Sequence, residues 1–500
     1  MNIQEAKQEI ANTLRAYLRK DNAGRYLFPT VRQRPILLMG PPGVGKTAIM
    51  EQIAQEQGVG LVAYTITHHT RQSAIGLPHI EQRTYDGVTM SVTEYTLSEI
   101  IASIHETIAQ SGRREGILFL DEINCVSETL APTMLQLLQN KTFGNHKVPE
   151  GWIIIAAGNP PEYNKSVRDF DIVTLDRVRQ INVEASLDIW LDYARAKAVH
   201  GAIVSYLTIK PDRFYQVDRQ ADSVSFVTAR GWEDLSEILK GYEELDIPVS
   251  ASLVEQYLRR DATARDFAAY YHLYRKYGSD YGITALLNGE LTQDEYAEKT
   301  AMAASGSFEE RFTVVNLVLE QLMASFSQYA WIDSTVTQLH SALKQFFTSG
   351  QSLPAWIEAR RSSLNVRQQN GLLTMEAIQQ EQCVLDRLDA MELSARSRHI
   401  RDTASLQTHL RTQFQTDIQT RNQLISKIQK QLSSAFQWME DCFGDGQEMV
   451  LLVSDLTRTP KAMDYIQRHG CVPYLKYSQA LLYRQQEHAL QQACQELLTT

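Results

Sequence analysis

Cysteine is scarce. The 500 residues hold five, Cys125, Cys383, Cys442, Cys471 and Cys494, an odd number with no C-x-x-C pair. That scatter excludes a disulfide framework and a zinc ribbon, and it suits a reducing compartment. Long apolar runs are missing too. Nowhere do about 18 apolar residues follow one another, so no membrane helix is expected. The stretch MNIQEAKQEIANTLRAYLRK is charged and lacks the apolar centre of a signal peptide, so a cytoplasmic location is expected. Basic charge is in deficit. Lys and Arg number 49 against 59 Asp and Glu, a net charge of −10, which is a poor basis for general nucleic-acid binding. What is present, 43% hydrophobic and 22% charged residues, is the composition of an ordinary globular protein long enough for two or three domains.

The first half alternates short apolar runs with helical patterns. PILLM (35–39), LVAYTI (61–66), GILFLD (116–121), WIIIAAG (152–158) and INV (181–183) read as buried strands, with helices between them. This alternation predicts a parallel sheet covered on both faces. Two stretches interrupt it. RTYDGVTMSV (83–92) and KTFGNHKV (141–148) alternate around Asp86-Gly87 and Gly144-Asn145, both hairpin turn signals. After about residue 185 strand signals fade, and residues 250–500 read almost entirely as helix. Leu406, Leu410, Phe414 and Ile418, then Leu424, Ile428, Leu432 and Phe436, line one face of a long helix, and 314–347 behaves similarly. A helical bundle or stalk is expected there. MVLLVSDL (449–456) fits either a buried strand or a buried helix.

GPPGVGKT (40–47) follows the strand PILLM and opens the helix AIMEQIAQEQG, which is G-x-x-x-x-G-K-[ST] in its proper setting. Gly40, Gly43 and Gly45, with Pro41, Pro42 and Val44 between them, let backbone N–H groups face phosphate oxygens. The helix start at Ala48 adds partial positive charge. Lys46 is expected to reach the β- and γ-phosphates of ATP, and Thr47 to ligate Mg²⁺. ILFLDE (117–122) supplies the acids: Asp121 at a strand end for the metal, Glu122 to polarise the attacking water. Asn159 ends the next strand, ahead of Pro160-Pro161. An amide there can bond the water or the γ-phosphate, although an Asn before Pro-Pro is also an ordinary turn former.

Those residues in that order resemble the AAA+ ATPases over roughly residues 30–245. The resemblance implies an α/β P-loop NTPase core, with the Asn159 strand between those of Lys46 and Asp121. An α-helical lid and a largely α-helical C-terminal domain would follow. It divides the chain into an N-terminal helix and linker (1–34), the core with two hairpin insertions (35–184), the lid (185–248) and the C-terminal helices (249–500). It implies that Arg177 in TLDRVRQ reaches into a neighbouring subunit's ATP site, with Arg179 and Arg168 as alternatives. Arg230 in SFVTARGWEDL matches the family's sensor 2 arginine. The two hairpins, with ITHHTRQSAIGLP, SEIIASIHE and LLQNKTFGNHKVPEGWIIIAAGNPPEYN, are most similar to the MoxR branch. LDRV stands where LDRF is usual, and TAR where SPR is common. Membership would imply an ATPase, a homo-oligomer that is most often a hexamer, a von Willebrand A domain partner and a protein substrate to remodel.

Two other functions are kept beside this one: a nucleic-acid-remodelling motor, and a nucleotide-gated scaffold. The motor predicts basic hairpin tips, and the first tip here is acidic. The scaffold predicts a broken Glu122 or arginine finger, and neither is broken. His68, His69 and His79 in THHTRQSAIGLPH lack acidic or cysteine partners at ligand spacing, so no metal site is expected of them.

Overall fold

A computed structural model describes residues 1–480 except 69–75, 86–87, 144–145, 164–166, 168–169, 220–223, 370–374 and 401. The chain divides into two compact units. One is Met1–Trp190 with Thr228–Gly231. The other is Leu191–Val227 with Trp232 onward.

In the first unit the strands are β1 (Ile36–Met39), β2 (Gly60–Thr65), β3 (Pro78–Tyr85), β4 (Val88–Tyr95), β5 (Gly116–Asp121), β6 (Thr142–Phe143), β7 (His146–Lys147), β8 (Trp152–Gly158) and β9 (Arg179–Asn182). Five of them form a parallel sheet in the order β2-β5-β8-β1-β9. The strand ending at Asn159 thus lies between the one leading to Lys46 and the one ending at Asp121, as expected. Residues of a strand alternate between faces. Leu37, Leu118, Leu120, Ile154 and Ala156 pack on one side with Ile100, Ile104, Met134 and Leu137. Ile36, Leu38, Ile117, Phe119, Ile153, Ile155 and Ile181 pack on the other with Ile10, Leu14, Ile49 and Ile53. Both faces are therefore buried, which is why these strands read as continuous apolar runs. Trp152 is fully buried, and its ring lies where glycines of the next two strands on one side, β5 and β2, leave room. A Cβ on Gly116 would stand 2.6 Å from the indole, and one on Gly60 3.1 Å.

The two insertions are antiparallel hairpins, β3-β4 over eight residue pairs and β6-β7 over two. Their turn residues, 86–87 and 144–145, lie outside the described residues. Every residue of β3 is exposed. Helix Ile3–Tyr17 opens with a capping box in which Asn2 and Glu5 bond each other's backbone N–H.

The second unit is mostly helical, with one departure from expectation. Strands β10 (Gln216–Arg219) and β11 (Val224–Val227) pair as an antiparallel ribbon beyond residue 185. Four-residue strands carry too little periodicity to be seen in the sequence. MVLLVSDL settles as part of helix Gln447–Arg458, with Met449, Leu452, Val453 and Leu456 buried at helical spacing. The two long periodic stretches are single helices: Phe308–Ser349, capped by Ser307, and Thr403–Phe443, capped by Asp402. The first serves two apolar clusters. At its middle Phe326 and Tyr329 meet Tyr465, with ring centroids 5.3 and 4.9 Å apart. Towards its end Leu339, Leu343 and Phe346 pack with Ile357, Leu385 and Leu388.

Helix Gly201–Ile209 lays Tyr206 against Trp232 and Phe267, 5.7 and 5.3 Å between ring centroids, so residues before and after position 248 share one core. No helix among the described residues is long and apolar enough to cross a membrane.

Candidate functional site

The phosphate loop joins β1 to helix Lys46–Gln57. All three of its glycines are required. A Cβ on Gly40 would lie 2.7 Å from the Val183 carbonyl oxygen, and Gly43 and Gly45 have φ +76° and +91°. Val44 is partly buried against the apolar face shared with Ile49 and Ile53. Lys46 opens the helix and its residue is 8% exposed. It donates to the carbonyl oxygens of Gly40 and Pro41, each at 2.8 Å, and to Asn159 Oδ1 at 2.9 Å. Burial pulls its pKa down to about 8; Asp121 partly offsets that pull, while the nearby Arg230 charge adds to it.

Thr47 Oγ1 donates to Asp121 Oδ2 at 2.9 Å. Asp121 ends β5, and its other oxygen accepts the Glu122 N–H at 2.9 Å. Glu122 adopts the left-handed region, φ +57°, which is uncommon for a residue with a Cβ and concentrates at functional sites. Its carboxylate accepts from Thr67 Oγ1 at 2.7 Å. The adjacent acids thus point to different donors. Hydroxyl and carboxylate oxygens at Thr47 and Asp121 suit a hard cation such as Mg²⁺.

Asn159 is fixed twice. Lys46 holds its side chain, and Asn124 Nδ2 donates to its backbone oxygen at 2.8 Å. Asn124 is only 3% exposed and lies under Gly158, where a Cβ would meet its Oδ1 at 2.6 Å. Sequence reading missed Asn124 and Thr67. The stretch DEINC gives no sign that its asparagine reaches the next strand.

Arg230 lies beside the loop: a Cβ on Gly43 would be 3.4 Å from Arg230 Cβ and 3.4 Å from Thr228 Cβ. The two arginines of TLDRVRQ differ in their partners. Arg179 pairs with the Glu9 carboxylate and the Thr13 hydroxyl of the first helix. Arg177 is exposed. It donates to the Gln139 amide oxygen and pairs with no carboxylate among the described residues. Arg168 lies outside the described residues.

One expectation about histidine is corrected. His79 does have acidic neighbours: Glu94 is its cross-strand partner and Glu81 follows on the same face, their ligand atoms within 4.8 Å of one another. Register across a hairpin, not sequence spacing, brings them together. Arg83 forms ion pairs with both carboxylates, so one of the two negative charges is already offset. His69 lies outside the described residues.

Residues 35–178 match the protein family described as an AAA domain of the dynein-related subfamily. No curated protein matches the chain. Among solved structures, the chain is similar to NtrX from Brucella abortus, crystallised in complex with ADP. Sequence identity is 16%, the match covers 39% of this chain and 40% of that one, and the TM-score is 0.24. The chain therefore spans less than half the length of that relative. With the family match, the sheet order and the loop agreeing over the same residues, the chain carries an AAA+ ATPase domain within its first unit.

Proposed function

We propose that the protein is an ATPase of the MoxR branch, working as a homo-oligomeric ring, most simply a hexamer, to remodel or mature a protein partner. A von Willebrand A domain protein is the partner class that this branch implies. The observation that carries the reading is the convergence of Lys46, Thr47, Asp121, Glu122 and Asn159 on one end of the sheet. The roles follow from chemistry. Lys46 and the backbone N–H groups of Gly43 to Ala48 bind phosphate oxygens. Asn159, held by Asn124, orients the attacking water or the γ-phosphate. Glu122 accepts a proton from that water. Thr47 and Asp121 would hold Mg²⁺, which when bound offsets phosphate charge. Arg230 would add charge from beside the loop, and Arg177 from an adjacent subunit.

A nucleic-acid motor has less support. On the first hairpin Arg83 is spent on Glu81 and Glu94, which leaves little free positive charge for a phosphate backbone.

The test is a pair of variants. Lys46→Ala should abolish ATP binding. Glu122→Gln should retain binding and lose about 10²-fold or more in hydrolysis, the scale of a removed general base. Equal turnover by Glu122→Gln and wild type would remove Glu122 from the mechanism. Affinity capture with ATP-loaded Glu122→Gln would then identify the protein partner.

A further inference from the structure

The second unit contains a cleft of about 330 Å³ that the nucleotide site does not use, bordered by residues 195–204, 240–243, 316–327 and 455–461. That volume lies at the low end of small-ligand sites, about 300–1,000 Å³. Its walls are mainly apolar, with Val204, Leu319 and Met323 among them.

Three acids, Glu243, Glu320 and Asp455, and three cations, Arg195, Lys240 and Lys461, line it, and their hydrogen bonds are unevenly shared. Each acid at the rim already has partners. Glu320 accepts the Gly201 N–H and the Tyr274 hydroxyl, at 3.1 and 2.5 Å. Glu243 is met by His200, Tyr271 and Arg275, at 3.1, 2.8 and 2.9 Å. Asp455 is paired with Arg195 at 2.9 Å. The cations are less fully used. The Arg195 side chain is 8% exposed, and its Nη1 is buried without a hydrogen-bond partner, 3.7 Å from the Asp192 carboxylate. An unsatisfied guanidinium nitrogen in such a place is costly, and natural proteins seldom leave one without use. Lys461 also borders the cleft and forms no ion pair among the described residues, whereas Lys240 is held by Glu237 at 2.7 Å. Lys461 stands in the first turn of helix Pro460–His469, whose N-terminus has no side-chain cap. That end carries partial positive charge and open N–H donors.

We propose that this cleft binds a small molecule with one anionic head, a carboxylate or a phosphate, and a short apolar body. Arg195 Nη1, Lys461 and the start of helix Pro460–His469 hold the head, and Val204, Leu319 and Met323 flank the body. The apolar wall explains why the ligand is more than a bare anion, and the unmatched donors explain why it is not neutral.

Hexanoate, hexyl phosphate and hexanol, titrated into the full chain by calorimetry and thermal shift, test this. At least one of the two anions should bind saturably and raise the unfolding temperature, and hexanol should do neither. Whichever anion binds more tightly identifies the head group. Lys461→Gln should weaken binding about tenfold or more, the worth of a charge-assisted hydrogen bond. Met323→Trp, which fills the cleft, should abolish it. Arg195→Gln alone strands Asp455, so the neutral pair Arg195→Gln/Asp455→Asn is the folded comparison and should also lose binding. The proposal is overturned if neither anion binds, if hexanol binds equally, or if Lys461→Gln and Met323→Trp bind like wild type. It is also overturned if binding disappears in Lys46→Ala, which would assign the probe to the phosphate loop.

Discussion

Lys46 is the titratable residue of the phosphate loop, and it is buried. With its pKa lowered to about 8 by burial, it is charged in the protein below that pH and increasingly neutral above it. Phosphate groups favour the charged form, so binding above pH 8 must take up a proton. Nucleotide affinity should be flat below about pH 8 and fall by up to ~10-fold per pH unit above it. Titration calorimetry across that range reads both the affinity and the proton uptake; a flat profile to pH 10 would mean that Lys46 is not the group contacted. Lys46, Thr47 and Asp121 could be recognised from sequence because one loop and one strand end dictate their positions within a few residues. Asn124 and Thr67 could not. Each acts through a hydrogen bond to a residue 35 or 55 positions away, a pairing that only the folded sheet creates. Arg177 and Arg179 look equivalent in the sequence. They differ only because helix Ile3–Tyr17 brings Glu9 to one of them.

The sheet depends on an arrangement across three strands. Trp152 of β8 fills space that Gly116 of β5 and Gly60 of β2 leave open. Gly116→Ala forces a Cβ against a fully buried ring that has little freedom to move, an overpacking that should cost about 1–3 kcal/mol. Calorimetry should show a lowered unfolding temperature. Trp152→Phe, itself destabilising through lost volume, should cost less in the Gly116→Ala background than in wild type, because the smaller ring relieves the clash. Strictly additive effects would show that the two side chains do not compete for space. The strands of this sheet were readable in the sequence because burial on both faces leaves long apolar runs. The pair Gln216–Arg219 and Val224–Val227 was not, because these strands are short and half polar. The 449–456 segment had to await its neighbours, since an eight-residue apolar run suits either a strand or a helix until packing selects one.

For the proposed ring, the residue to test is Arg177. It is exposed and meets an amide rather than a carboxylate, whereas Arg179 is engaged with Glu9. If Arg177 serves a neighbouring copy, Arg177→Ala should fold and bind ATP but lose about 10³–10⁵ in rate, the range of arginine fingers in phosphoryl transfer. Mixing Arg177→Ala with Lys46→Ala subunits, each inactive alone, should restore part of the hydrolysis wherever an intact loop faces an intact arginine. Mixed assemblies that form and remain inactive would rule out a role in trans.

Helix Phe308–Ser349 has a mechanical consequence. Its 42 residues extend about 63 Å at 1.5 Å per residue. Its buried residues run from Thr313 to Phe346, with Phe326 seated at mid-length and Leu343 towards the end, so it is gripped along most of its length. A rod held in this way transmits angle rather than absorbing it. A tilt of about 5° imposed at the Phe308 end would sweep the Ser349 end through about 5 Å, given that length. A displacement too small to remake contacts where it begins would be large enough to make or break them where it arrives.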